Sequence, residues 1–232
     1  MKKSFKKTYA FIDASNIIYG CNSQGWKMDF AKLIKYLKTR HSCQKIFYYA
    51  GLDQENKKQL KFYEKLAEFG YILKLVPIKR FKDGKVKGDV DSRMTFELMR
   101  YLEEYKTAIV LTGDGDYYWV IEYLMQKRKR IYLLSFPTRT AQELKKLVGS
   151  DFANLGNSRS QLQRNDKNEA DSTNDSASRY YGNNIPDKNR KVKMTKTICV
   201  EHIIHFVHSV KIPLLQLMDN LGIDWRQQIT VL

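Results

Sequence analysis

A chain of 232 residues can bury one substantial core and carry an appendage, but it is too short for two domains of usual size. Lys and Arg number 41 against 25 Asp and Glu, a net charge of +16, which favours a polyanionic partner such as nucleic acid over an anionic membrane surface. Three widely spaced cysteines, Cys21, Cys43 and Cys199, lack CxxC spacing and give neither a disulfide framework nor a zinc knuckle, so a reducing cytoplasm is expected.

The N-terminus is basic, but Asp13 arrives before any apolar signal-like run, and no later run is long enough to span a bilayer. Residues 9–12 (YAFI) predict a first strand ending on Asp13, with Asn16 three residues on. Residues 15–25 are polar and rich in turn formers and are expected as a loop. Phe30, Leu33, Ile34 and Leu37 then recur at helical spacing behind Asp29, a helix cap. A second strand is expected over 45–50 and a second helix from about residue 54 to the stop at Gly70. A third strand over 71–76 is closed by Pro77, a basic loop follows over 78–88, and Asp91 opens the next helix.

Residues 108–111 (AIVL) form a fourth short apolar run, broken by Thr112 and Gly113, so that Asp114 and Asp116 stand at the mouth of a strand. A helix carrying Trp119, Val120, Tyr123 and Leu124, a fifth strand over 131–135 and a helix over 141–148 complete the series. Strands alternating with helices predict a three-layer α/β domain with a parallel sheet of about five strands. Residues 157–196 are polar and almost devoid of aliphatics and are expected as a disordered linker. A short helical tail over 197–232 follows, too small to fold alone but suited to docking a protein partner or a second copy. The domain itself is thus assigned to residues 1–156. In the tail, His202, His205 and His208 recur every third residue, which walks round a helix and suits a solvated flank better than a metal site.

Ligands of open parallel sheets bind beyond the carboxyl ends of the strands, where the strand order reverses. Asp13, Asp91, Asp114 and Asp116 all fall on that edge, and four carboxylates there repel one another unless cations neutralise them. Oxygen donors without histidine or cysteine suit Mg²⁺ or Mn²⁺, and such a centre serves in-line displacement at phosphorus. Taken singly, each Asp is better explained as a helix cap or turn residue; all four on one edge favour the metal.

The stretches FIDASN (11–16), KGDVDSRMTFELM (87–99), LTGDGDY (111–117) and LVGSDFANL (147–155) resemble, in order and spacing, the signatures of NYN domains, the PIN-like nuclease family with its LabA-like branch. The resemblance implies a PIN-like fold and a metal-dependent ribonuclease, with Asp13, Asp91, Asp114 and Asp116 at the family's acidic positions and Asn16 at its asparagine. Asp91 is taken by register, with Asp89 the alternative, and Glu97 stands where the family often has Asp.

For the substrate, Lys79, Arg80, Lys82, Lys85 and Lys87 after the third strand, and Arg139 after the fifth, lie on the acidic edge and can neutralise RNA phosphates. The basic residues 127–130 precede a strand and belong to the opposite edge. Tyr19, Tyr117 and Tyr118 are placed where they can stack on unpaired bases, whereas Trp26 and Trp119 are expected in the core. No base-reading module is present, which favours selection of single strands through the backbone.

Overall fold

The computed structural model describes residues 7–80, 86–87 and 89–165. Six strands form one sheet in the order β3-β2-β1-β6-β7-β8, every neighbouring pair parallel. They are β1 (Thr8–Asp13), β2 (Cys43–Leu52), β3 (Ile72–Pro77), β6 (Thr107–Leu111), β7 (Arg130–Ser135) and β8 (Phe152–Asn154). The remaining pair, β4 (Lys79–Arg80) and β5 (Val86–Lys87), makes a two-residue antiparallel ladder at the base of the expected basic loop.

Alternation along the strands builds the two faces. Ala10, Ile12, Ile46, Tyr48, Ile109 and Leu111 point to one side, against α1 (Ala14–Ser23), α2 (Phe30–His41) and α3 (Lys57–Phe69). Tyr9, Phe11, Phe47, Tyr49, Ala108 and Val110 point to the other, against α4 (Val90–Arg100), α5 (Tyr118–Gln126) and α6 (Gln142–Val148). The result is the expected three-layer α/β architecture. The caps read from the sequence are in place: Asp29 accepts from the Lys32 amide at 3.0 Å, and Gly70 ends α3 in the left-handed region at φ 96°.

Several local expectations are corrected. Much of the 15–25 stretch expected as loop is helical, within α1, because Ala14, Ile17, Ile18 and Cys21 give an apolar stripe that packs on the sheet, while Ser15 and Asn16 turn to Asp13 and Asn22 and Ser23 face outward. Pro77 lies within β3 rather than after it, which an edge strand permits. The sheet gains a sixth strand, β8, at the edge opposite β3, too short at three residues to announce itself by periodicity. Helix α4 is capped by Asp89, whose carboxylate accepts from the Ser92 amide at 3.4 Å, and Asp91 sits inside the first turn rather than opening it.

The fold also runs past the expected boundary at residue 156. A short helix α7 (Arg159–Leu162) seats Leu162, fully buried, in the core. The Leu162 carbonyl accepts from the Asp29 amide at 2.8 Å, the Arg164 amide donates to the Lys27 carbonyl at 2.9 Å, and Lys32 Nζ reaches the Gln163 carbonyl at 2.7 Å. One leucine amid polar residues gives no helical period, so only the tertiary contact reveals the segment. Leu162→Ala should lower stability by about 2–3 kcal/mol, read from the urea midpoint at unchanged slope. The rest of the proposed linker, the helical tail with its histidines, and Cys199 lie outside the described residues.

Candidate metal centre

Strands β1 and β6 are adjacent at the centre of the sheet, and from them the chain winds outward in both directions. This is the reversal point at which a doubly wound sheet opens a crevice at its carboxyl edge. Ile12 pairs with Leu111, so the next residues on each strand, Asp13 and Thr112, lie side by side. Both are buried.

Asp13 is held on all sides. Its Oδ1 accepts from Ser15 Oγ at 2.6 Å and from the Asn16 amide at 3.2 Å; its Oδ2 accepts from Asn16 Nδ2 at 2.6 Å and from Thr112 Oγ1 at 3.2 Å. Burial pushes its carboxyl above the ordinary range, the hydrogen bonds from Ser15 and Asn16 oppose that rise, and the charge of Asp114 adds to it. The network continues outward with a fixed polarity. Asn16, oriented by Asp13, presents its Oδ1 to the Gly113 amide at 3.2 Å, and Thr112 Oγ1 accepts from the Asp114 amide at 3.2 Å. A buried acceptor on β1 thereby positions the loop that carries Asp114.

That loop is further confined by its neighbour. Ala141 N donates to the Gly113 carbonyl at 3.0 Å, and any β-carbon at position 113 would strike the Arg139 carbonyl oxygen. Glycine is required by this close approach. Asp114 then accepts from the Asp116 amide at 3.2 Å, capping a 3-10 turn over Gly115–Tyr117. The turn carries Tyr117 into the core, where its hydroxyl donates to Asp91 Oδ1 at 2.9 Å. Burial raises the Tyr117 hydroxyl well above its usual range, and the charges of Asp13, Asp91 and Asp114 raise it further, so it stays a donor.

The outcome is that Asp91, Asp114 and Asp116 each offer a carboxylate oxygen, all within 4.8 Å of one another. Asp91 and Asp116 are exposed and Asp114 is half-buried, a graded opening to solvent. The donor set, oxygen alone, fits a hard divalent cation. Of the two candidates on α4, Asp89 is used as the helix cap and Asp91 joins the group. Asp13 lies behind the three, outside the 4.8 Å group and in electrostatic contact with Asp114. Glu97 is not among them either. It is fully buried, with Lys74 Nζ 2.9 Å from Oε2, Arg93 Nη2 2.8 Å from Oε1 and the Tyr49 hydroxyl 3.3 Å from Oε2.

Among the expected substrate contacts, Arg139 is exposed and its guanidinium lies 5.9 Å from the centre of the half-buried Tyr19 ring. Lys79, Arg80 and Lys87 are placed by backbone in the β4-β5 ladder, and Lys82 and Lys85 lie outside the described residues. Tyr117 is buried and therefore withdrawn from stacking, Tyr118 is half-buried, and Trp26 is in the core as expected. Trp119 is the reverse of the expectation: 60 % exposed on the first turn of α5. Helix α5 buries Val120, Ile121 and Leu124, and position 119 falls outside that stripe. Ser15, Thr112 and the Tyr117 hydroxyl are supporting residues the sequence did not single out, although each adjoins an acidic motif.

The basic residues on the opposite edge have structural partners. Lys129 reaches the Tyr105 carbonyl at 3.1 Å, and Arg130 pairs with Asp151 at 2.7 Å. Among the described residues, no helix is long and apolar enough to cross a membrane.

Comparison with known proteins agrees with this geometry. A crystal structure of a Vibrio parahaemolyticus protein of unknown function superposes with a TM-score of 0.60 over 71 % of this chain and 99 % of that one, at 22 % identity, a likeness of fold. The low amplitude and bright protein LabA of Synechococcus elongatus is 25 % identical over 167 residues, covering 68 % of this chain and 89 % of LabA. The NYN domain model matches residues 7–155, which takes in all four acidic positions and the sheet that carries them, and the chain therefore belongs to the NYN-domain family of PIN-like, nuclease-type proteins.

Proposed function

We propose that the protein is a metal-dependent ribonuclease that hydrolyses phosphodiester bonds within single-stranded RNA, acting as an endonuclease in the cytoplasm. The observation that carries this reading is the convergence of the Asp91, Asp114 and Asp116 carboxylates to within 4.8 Å at the carboxyl edge of the sheet. Such a cluster, exposed and composed of oxygen donors, suits Mg²⁺ or Mn²⁺, which when bound supplies an acidified water and charge stabilisation at phosphorus. In this reading Asp91, Asp114 and Asp116 hold the ion from the solvent side, and Asp13 contributes its negative charge from behind. Asn16 fixes the loop that presents Asp114. Lys79, Arg80, Lys82, Lys85, Lys87 and Arg139 neutralise the RNA backbone, with Tyr19 beside Arg139. Cys21 and Cys43 are buried free thiols, both pushed up to about 12 by burial and therefore poor nucleophiles that take no part in this chemistry.

One observation favours a second reading, an RNA-binding or adaptor module without catalysis that recruits partners, or a second copy, through its C-terminal tail. Asp13 and Asp114 both serve as caps, so these acids have a structural use apart from chemistry. Incubating the full chain with end-labelled single-stranded RNA, duplex RNA and single-stranded DNA, in Mg²⁺, Mn²⁺ or EDTA, separates the two. Internal cuts in single-stranded RNA that need metal are expected. RNA binding that survives EDTA, with no cleavage in either metal, would decide for the adaptor.

A further inference from the structure

We propose that Trp119 is a stacking platform for an unpaired base of a nucleic-acid strand whose backbone passes the acidic cluster. It deepens the ribonuclease reading by naming how single strands are selected, and rests on that reading for the position of the strand.

An indole 60 % exposed on an ordered helix is an unusual placement for the largest apolar side chain. Trp119 is held rather than loose. The Tyr118 ring meets it edge to face at 5.2 Å and 84°, and the Tyr118 hydroxyl is itself anchored to Glu122 Oε1 at 3.3 Å. A ring fixed in this way offers its open surface at little further entropic cost. Its location supplies the ligand. Trp119 follows Asp116 by three residues, across the junction of the 3-10 turn and α5, and side chains three apart on a helical surface lie about 5–6 Å apart at their β-carbons. Position 119 therefore adjoins position 116, which supplies one oxygen of the carboxylate group.

The same helix continues the surface. Tyr123, half-buried, comes four residues after Trp119 and Lys127 four after that, with Lys127 Nζ 5.2 Å from the centre of the Tyr123 ring. Lys127 lies at the far end of α5, on the edge away from the acids, so the platform itself is Trp119, and the chain's charge of +16 favours a polyanion over an apolar protein partner on it. A duplex keeps its bases inside and cannot use the platform.

The test measures binding in EDTA, where cleavage plays no part, with a fluorescein-labelled 20-nucleotide RNA, single-stranded or annealed to its complement. Trp119→Ala should weaken single-stranded binding about tenfold or more, Trp119→Phe should restore most of it, and duplex binding should change less than about twofold. The slope of log affinity against log salt should stay the same, because no phosphate contact is removed. Single abasic substitutions walked along the RNA should weaken the wild-type protein at one position and leave Trp119→Ala indifferent there. Equal loss on single strand and duplex, or no loss on either, would overturn the proposal. So would a Trp119→Ala variant whose effect is to dissociate a dimer in sedimentation, since the indole would then belong to a contact between copies. If the binding difference appears but neither metal supports cleavage, the ribonuclease reading fails and the platform stands.

Discussion

Asp114→Asn should abolish metal-dependent cleavage, with a fall of about 100- to 1000-fold or more, while the protein stays folded and still binds RNA. The substitution isolates charge from shape. Asn caps a helical turn about as well as Asp, so the hydrogen bond from the Asp116 amide can persist and the loop need not move. What is lost is one of three carboxylates within 4.8 Å, and with it several kcal/mol of interaction with a divalent cation, each 1.36 kcal/mol of barrier being tenfold in rate. Cleavage rates in Mg²⁺ and Mn²⁺, beside a melting curve with and without metal, check both halves. The wild type should be stabilised by the ion, and the variant much less. Wild-type cleavage by a folded Asp114→Asn protein would remove this cluster from the chemistry.

Asp13→Asn is a different experiment, although the two residues are linked through Thr112, whose hydroxyl donates to Asp13 and accepts from the Asp114 amide. Asp13 accepts four hydrogen bonds and donates none, and Asn16 can offer its carbonyl to Gly113 only while its amide points at Asp13. An amide at position 13 puts a donor against one of its present donors, so loss of activity would not by itself distinguish a lost ligand from a displaced loop. Asp114 is the cleaner probe.

The second large effect is on stability. Glu97→Ala should destabilise the protein by about 3–5 kcal/mol, measured by urea or thermal unfolding, because it strands partners that burial has committed. Lys74, with 16 % of its side chain exposed, pairs with Glu97 at 2.9 Å and also lies 5.5 Å from the Phe47 ring centre, and the Tyr49 hydroxyl beside it is deeply buried. Glu97→Gln keeps an acceptor and should cost less, about 1–3 kcal/mol. Cleavage by Glu97→Gln at the wild-type rate, below its melting temperature, is the matching expectation, since this acid is tied to Lys74 and Arg93 rather than to the open carboxylate group.

The sheet and its reversal point were legible because β1, β2, β6 and β7 are apolar runs bounded by turn residues, and the central strands of a parallel sheet are buried on both faces. Where the pattern was weak, reading failed in a physical way. Helix α1 hides its period beneath Ser15, Asn16, Asn22 and Ser23, residues that look like a turn until the sheet gives the apolar stripe something to cover. Leu162 had no periodic neighbours at all. Trp119 was misplaced because size and apolarity suggest burial, whereas the phase of α5, set by Val120, Ile121 and Leu124, turns that position outward. At the candidate site, the acids stood out by spacing, and Asp91 took its place over Asp89 by helical register. The supporting bonds of Ser15, Thr112 and Tyr117 depend on side-chain directions that no spacing encodes.

The pairing of β1 with β6 has a consequence in time. The hydrogen bond from Thr112 to Asp13 spans 99 residues, and the one from Gly113 to Asn16 spans 97. Contacts this remote are slow to form, and a chain synthesised at about 5–20 residues per second emits the second partner roughly 5–20 s after the first. During that interval β1 lacks the neighbour that completes the crevice, and the loop bearing Asp114 does not yet exist. The acidic centre cannot be rehearsed by any local fragment. It arises in one step with the closure of the sheet, so a truncated or nascent chain carries Asp13 and Asp91 before Asp114 and Asp116 exist to complete the group.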